Sequence, residues 1–372
     1  MPAVRKVGVE EELLLVDPET GELANAAGRV LHEHRTDHHD QPPANASTDL
    51  EGELLRHMLE THTDPTRDLA EVETQLRLAR RTAVAAAEES GFAVAAVGTS
   101  PLGSADPAVS TNPRYERIVG EFGDTGRGAG TLGMHVHVDI ADDEEGVRVV
   151  DGLRPWLPVL TALSANSPYA SGRDTGYASW RQQVWTRWPT AGPAEPFGSA
   201  AEYRRVSQKL IDLGAALDPG MIYYEARLSA SYPTIEVRVA DTCTDVDDAM
   251  VNVALTRALV ATCANAEPSG SVWRSDVLRA AWWRAARYGL AGDLVHPVTA
   301  TRVRAAEAVR ALRETVADAL EDAGDVGLVD EGLARLASTG TGSRRQRAAF
   351  ERAGDLRGVV ADLVDRTVDT TR

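Results

Sequence analysis

The chain has 372 residues, 43% of them hydrophobic and 26% charged, which is a globular composition long enough for one large domain or two modest ones. Lys and Arg number 39 against 56 Asp and Glu, a formal net charge of −17, which argues against a nucleic acid or an anionic membrane as the main partner. Only Lys6 and Lys209 are lysines, no GxxxxGK[ST] occurs, and two cysteines, Cys243 and Cys263, make no disulfide framework; these counts exclude a P-loop as written, disfavour Lys Schiff-base catalysis and fit a reduced, cytoplasmic setting.

The N-terminus, MPAVRKVGVEEELLL, turns acidic at once and lacks the apolar core of a signal peptide, and the longest apolar runs fall short of the ~18–20 residues of a membrane helix. Residues 4–16 read as a strand closed by a turn at Asp17–Gly21. The stretch 27–48 is polar, His-rich and Pro-broken, a short helix and then a loop. Residues 51–61 are ambiguous between strand and helix. Thr63-Asp64-Pro65 opens a long helix over 66–90, ended by Gly91. Phe92–Val97 is a short buried strand, followed by a loop to about 112. Residues 131–140 alternate as a strand, an acidic start at Asp142–Glu145 opens a helix to about 165, and 166–197 form a long aromatic loop. A helix over 199–214 precedes strands at 222–229 and 233–240. From 245 onward the pattern is helical, with turns near 268, 292, 324 and 340. The order predicts an α+β fold: an antiparallel sheet assembled from distant segments, helices packed outside it, and a helix-rich C-terminal third. We expect one catalytic domain over residues 1–372, strand-rich to 240 and helical from 245.

Residues two apart on a strand share a face. Glu10 and Glu12 therefore point one way, as do His135 and His137, and Glu236 and Arg238, while Val, Leu, Ile and Met fill the alternate positions. One such charged face meeting water is ordinary. Three of them built from carboxylates and imidazoles suggest a site, because clustered carboxylates stay ionised only beside cations. Oxygen-rich ligands with a few His suit Mg²⁺ or Mn²⁺, which bring nucleotide phosphates, and Arg227 and Arg238 would partner phosphate or carboxylate. Glu53 and Glu60 are seven apart. On a regular strand they face opposite ways and could both be ligands only across a bulge or bend, whereas on a helix they share a face; spacing leaves both open. His32, His34, His38 and His39 lack HExxH and a Cys partner and read as a solvated loop. The aromatic loop, with Tyr169, Tyr177, Trp180, Trp185 and Trp188 interleaved with Arg173, Asp174, Arg181 and Arg187, reads equally as core packing or as a substrate lid.

Four segments in order, VGVEEELLLVD, GMHVHVDI, DTGYASWRQQVWTRWPTAGP and PTIEVRVADT, resemble the carboxylate–amine ligases of the glutamate–cysteine ligase type 2 group, over residues from about 7 to 265. The resemblance implies a sheet curled into a funnel, related to glutamine synthetase and the guanidino kinases, with ATP and Mg²⁺ on its charged inner face. It implies metal ligation by Glu10, Glu12 and Glu236, a place near the phosphates for His135, and phosphate binding by Arg238. It extends to Glu53 and Glu60 as further metal positions and to His135 as a ligand. It assigns Arg181 and Arg227 to the amino-acid carboxylate or the transferred phosphate, and His137 and Trp188 to ATP or substrate contact. Relatives carry Cys-Gly before the MHVHV strand and Gly after it. Here Leu132-Gly133 and Asp139 stand instead, an extra acid at that end.

The expected activity is ATP-dependent amide formation through an acyl phosphate, from glutamate's γ-carboxylate and cysteine or another amine. Its partners would be ATP, an amino acid and an amine, with no nucleic acid or membrane; homo-oligomerisation stays open. The alternatives are a metal-dependent hydrolase, which would turn over without ATP, and a non-catalytic nucleotide- or metal-binding protein, which ATP would stabilise without ADP being formed.

Overall fold

The computed structural model describes residues 4–37, 46–103, 108–128, 130–266 and 273–371. His38 and His39 and the turn near 268 lie outside these. In chain order the strands are β1 (Val7–Val16), β2 (Glu51–Gly52), β3 (Met58–His62), β4 (Ala93–Ala95), β5 (Gly133–Asp139), β6 (Tyr169–Ala170), β7 (Arg173–Asp174), β8 (Ala226–Leu228), β9 (Thr234–Asp241), β10 (Asp293–Val295) and β11 (Arg302–Arg304). The helices are α1 (Ala27–Asp37), α2 (Leu69–Glu89), α3 (Pro113–Phe122), α4 (Asp124–Arg127), α5 (Asp143–Leu153), α6 (Leu157–Ser164), α7 (Trp180–Trp185), α8 (Ala200–Asp212), α9 (Val246–Asn265), α10 (Ser275–Tyr288), α11 (Ala305–Thr315), α12 (Ala317–Ala323), α13 (Val326–Thr339), α14 (Gly342–Ala353) and α15 (Leu356–Asp369).

Among the described residues the main sheet has seven strands, ordered β2-β3-β1-β5-β9-β8, with β4 paired to the C-terminal half of β1. Every pairing is antiparallel. Its back face is the apolar half of the alternation: Val7, Val9, Met134, Val136, Val138, Ile235, Val237 and Val239 are buried in one core with α5, α6 and α9. Helix α2 starts because the Asp68 side chain accepts from the N–H of Ala70. It buries Leu69, Val72, Leu76, Ala79 and Ala83 along one stripe, and ends before Gly91, whose φ of +79° suits glycine. Glu11 breaks the apolar run of the back face. It is wholly buried and meets Arg80 of α2 in a two-pronged ion pair of 2.9 and 2.7 Å. Arg80 completes its donors on the carbonyls of Cys243 and Thr244.

At one end of the opposite face the C-terminal helices close over the sheet. Leu14, Val16 and Ala95 pack with Ala349, Val359, Val360 and Leu363 of α14 and α15. The expected helix from 142 to 165 is two, broken around Pro155 between α5 and α6. The aromatic stretch is not all loop: it contains the β6–β7 hairpin and α7, which Ser179 caps by accepting from Gln182 N–H. The helical third likewise contains the β10–β11 hairpin. No helix among the described residues is long and apolar enough to cross a membrane.

Candidate active site

Sheet register assembles the site. Glu10 stands opposite His135, Glu12 opposite Glu60, and Glu236 opposite both His137 and Arg227. Facing pairs in antiparallel strands project to the same side. Five strands thus carry acids, imidazoles and guanidiniums onto one face. A bulge in β9 tunes it: Met134 pairs with Ala240 and Val136 with Val237, so Arg238 and Val239 together oppose His135. Glu53 and Glu60 are brought together by a bend between β2 and β3, the arrangement in which both can face one site.

The floor and walls enclose a cavity of about 250 Å³. Glu10, Glu12, Glu53, Glu60, His135, His137, Trp188, Arg227, Glu236 and Arg238 all line it. Arg181 does not line it; it lies fully buried at the end of the charged face, in the space a Cβ on Gly133 would fill, and donates to the Arg238 carbonyl. Asp139 is not among the lining residues; its carbonyl is held by Arg5. His32 and His34 sit on α1, away from the cavity lining. The lining also includes Arg114 and Tyr115 of α3, with Trp185, Tyr223 and Tyr232. Arg114 pairs with Asp218 through contacts of 3.0 and 3.1 Å. Helix α3 went unread in the sequence, although Asn112-Pro113 supplies a capping side chain and a proline in the first turn.

Charge is unevenly compensated. Glu236 is clamped by Arg227, at 2.7 and 3.1 Å, and by Arg238. Burial alone would raise its pKa; the two guanidiniums outweigh burial and hold it well below the usual carboxylate range. Glu10 is also low. Burial opposes this, but His135, whose Nδ1 lies 3.3 Å from it, and His137, whose Nε2 lies 3.2 Å away, outweigh burial. For the other acids burial wins: the Gly133 N–H and more distant arginines on Glu12, and the Leu54 N–H on Glu53, do not offset it. Burial, then the charge of Glu53, pushes Glu12 up to about 7. Burial raises Glu53, and burial followed by Glu53, Glu10 and Glu12 raises Glu60 far above its ordinary value. His135 falls to about 4, through burial first and the charge of Arg238 second. It is therefore a neutral imidazole at pH 7. With its proton on Nδ1 toward Glu10, the Nε2 lone pair is buried without a partner among the described residues.

Ligand atoms of Glu10, Glu60 and His135 lie within 4.8 Å of one another, as do those of Glu10, His137 and Glu236. Mutually repelling carboxylates beside an uncommitted imidazole nitrogen suit a divalent cation, which would reverse the upward shifts of Glu12, Glu53 and Glu60.

The glutamate–cysteine ligase family 2 model matches residues 6–365. A Nocardioides sp. protein provisionally named glutamate–cysteine ligase 2-1 is 55% identical, covering 98% of this chain and 96% of its own. One from Streptomyces coelicolor, provisionally named glutamate–cysteine ligase 2, is 46% identical over 98% and 99%. Among solved structures, glutamate–cysteine ligase from Francisella tularensis in complex with AMP superposes with a TM-score of 0.67 at 12% identity, covering 100% of this chain and 89% of that one. A bifunctional glutathione synthetase from Pasteurella multocida gives 0.69 at 15%, covering 99% and 52%. The distant structures share the fold; the family model and the close relatives, spanning nearly the whole chain, make this chain a member of glutamate–cysteine ligase family 2.

Proposed function

We propose that this chain joins the γ-carboxylate of glutamate to an amine through an acyl phosphate, with cysteine as the reference acceptor. Family membership makes it an ATP-dependent ligase forming carbon–nitrogen bonds. The observation that carries the finer reading is the convergence of Glu10, Glu12, Glu53, Glu60, His135 and Glu236 with Arg227 and Arg238 around one cavity.

A carboxylate is a poor acyl donor, because the amine must attack an anion and expel oxide. Phosphoryl transfer from ATP converts that oxide into phosphate, a good leaving group, and releases ADP. The amine then forms the C–N bond as phosphate departs. In this reading Arg227 and Arg238 face the transferring phosphoryl group and offset the charge spread over its oxygens. Both are held in place by Glu236. Arg181, which does not itself line the cavity, serves the substrate carboxylate by adding positive charge behind Arg238, and His137 and Trp188 wall the ATP and substrate space. Glu10, Glu12, Glu53, Glu60, His135 and Glu236 would hold Mg²⁺ or Mn²⁺, which when bound supplies charge neutralisation at the phosphate oxygens. We further propose that the whole chain acts as one catalytic domain, in the cytoplasm.

Purified protein given Mg²⁺-ATP, glutamate and a panel of amines should release ADP and phosphate and yield a γ-glutamyl amide detectable by mass spectrometry. Glu10→Gln and Glu236→Gln should each lower turnover by at least ~100-fold while circular dichroism stays native. Folded wild-type protein that forms no ADP across a broad panel would remove the reading, and full activity in either variant would remove that residue's role.

A further inference from the structure

Helix α7 sets Arg181 and Trp185 one turn apart on the same face, so their side chains stack. The Arg181 guanidinium carbon lies 5.4 Å from the Trp185 ring centre; that of Arg238, arriving from β9, lies 5.3 Å from the same ring. One indole therefore attracts two cations that repel each other. Tyr223 adds a second wall, its ring 4.9 Å from that of Trp185 and 5.9 Å from the Arg238 guanidinium carbon.

Four N–H positions in this box are buried and have no acceptor among the described residues: Arg181 Nε and Nη1, Arg238 Nε, and Trp185 Nε1. Arg181 is 1% exposed and Arg238 7%. Buried donors in native proteins are satisfied with few exceptions; this chain has others elsewhere, and four sit together here, beside a cavity that Trp185 and Arg238 line. Glu236 already pairs with Arg238, and Glu12 and Asp241 offset part of the charge; the N–H groups left over are donors only, which suits an anionic oxygen.

We propose that Trp185 is a ligand-binding residue: its indole N–H donates to an anionic oxygen of the bound substrate, while its ring keeps Arg181 and Arg238 side by side. That oxygen belongs to the amino acid's carboxylate or to a phosphoryl group of ATP, which offer the same chemistry. The inference deepens the ligase reading and rests on it for its kinetic arm; its binding arm is independent of turnover.

Trp185→Phe keeps an aromatic ring and loses the N–H; Trp185→Leu loses both. The Phe variant should raise one KM roughly 10-fold with kcat within about twofold. The Leu variant should show that same rise and a further loss of kcat of roughly 10-fold, because the two guanidiniums separate. Phe would thus rescue kcat and leave KM impaired, a split that a merely structural residue does not produce. Glutamate titrated at saturating Mg²⁺-ATP, and the converse, identify the oxygen: a shifted KM for glutamate marks the carboxylate, and one for ATP marks the phosphoryl group. Calorimetric titration of glutamate and of Mg²⁺-ADP into wild type and both variants should reproduce the loss in Kd without turnover. Unchanged KM and Kd values in a natively folded Phe variant overturn the hydrogen bond. Equal kcat in the Phe and Leu variants overturns the role of the ring. If wild type binds both ligands and forms no ADP, the ligase reading fails and the Kd values alone decide this inference.

Discussion

Glu225 shows how a single side chain can make stability depend on pH. It is buried, one carboxylate oxygen lacks a partner among the described residues, and burial pushes its pKa up to about 7 from an ordinary 4.5. The folded protein therefore holds a proton there that the unfolded chain has released, so between these values the native state binds more protons. The resulting stability is complete below about pH 4.5 and is lost as pH rises through 7. Glu225→Gln cannot titrate and should remove this slope. Urea unfolding at pH 8 should show the variant more stable than wild type by about 3 kcal/mol, the gap closing by pH 4.5. A gap that does not change with pH would show that the carboxyl has found a partner. Glu11, also buried, differs in its partner: both its oxygens accept from the Arg80 guanidinium. In the cavity both behaviours coexist, with Glu236 clamped by two arginines and Glu60 raised by burial and by neighbouring carboxylates.

Among the elements, β5 and α7 depend on each other through a missing side chain. A Cβ on Gly133 would lie 2.2 Å from Nη2 of Arg181. The backbone at Gly133 is not at positive φ, so in Gly133→Ala the strain falls on the buried Arg181 guanidinium, which the methyl group should displace. Turnover should fall on the order of 10- to 100-fold with a melting temperature within a few degrees of wild type; unaltered kcat/KM would exclude Arg181 from the site. The strands that carry the site were legible because alternation over VGVEEELLLV, GMHVHVD and TIEVRVAD sorts charge from apolar residues without reference to the rest of the chain. Glu53 and Glu60 stayed ambiguous because a bend, which has no period, brings them together. Helix α7 was missed because six residues give too few turns for a stripe to emerge from the pattern; α3 was missed although its Asn112-Pro113 start is in the sequence. With them went Arg114, Tyr115 and the special position of Trp185. The β9 bulge is invisible in sequence: nothing in VRVA announces that two residues face one.

For the whole molecule, the C-terminal helices are part of the sheet's packing rather than an appendage. Leu363 is 2% exposed and packs in the cluster that contains Leu14, Val16 and Ala95. Leu363→Ala should cost about 3 kcal/mol in denaturant unfolding, while the folded fraction keeps its turnover, because Leu363 itself does not line the cavity. A loss below ~1 kcal/mol would mean that α15 contributes little to the core. Wider coupling comes from the extra residue in β9. It lets Glu236, Arg238 and Asp241 all look the same way, although strict alternation would turn Asp241 to the back. Asp241 accepts from Ser167 and Ser179 hydroxyls and from the Asn166 N–H, and so tethers the segment that leads into α7. One strand consequently both sets the charge on the cavity floor and moors its aromatic wall. The two are mechanically in series, so whatever shifts the anions on the floor also tugs the aromatic wall, with no hinge required between them.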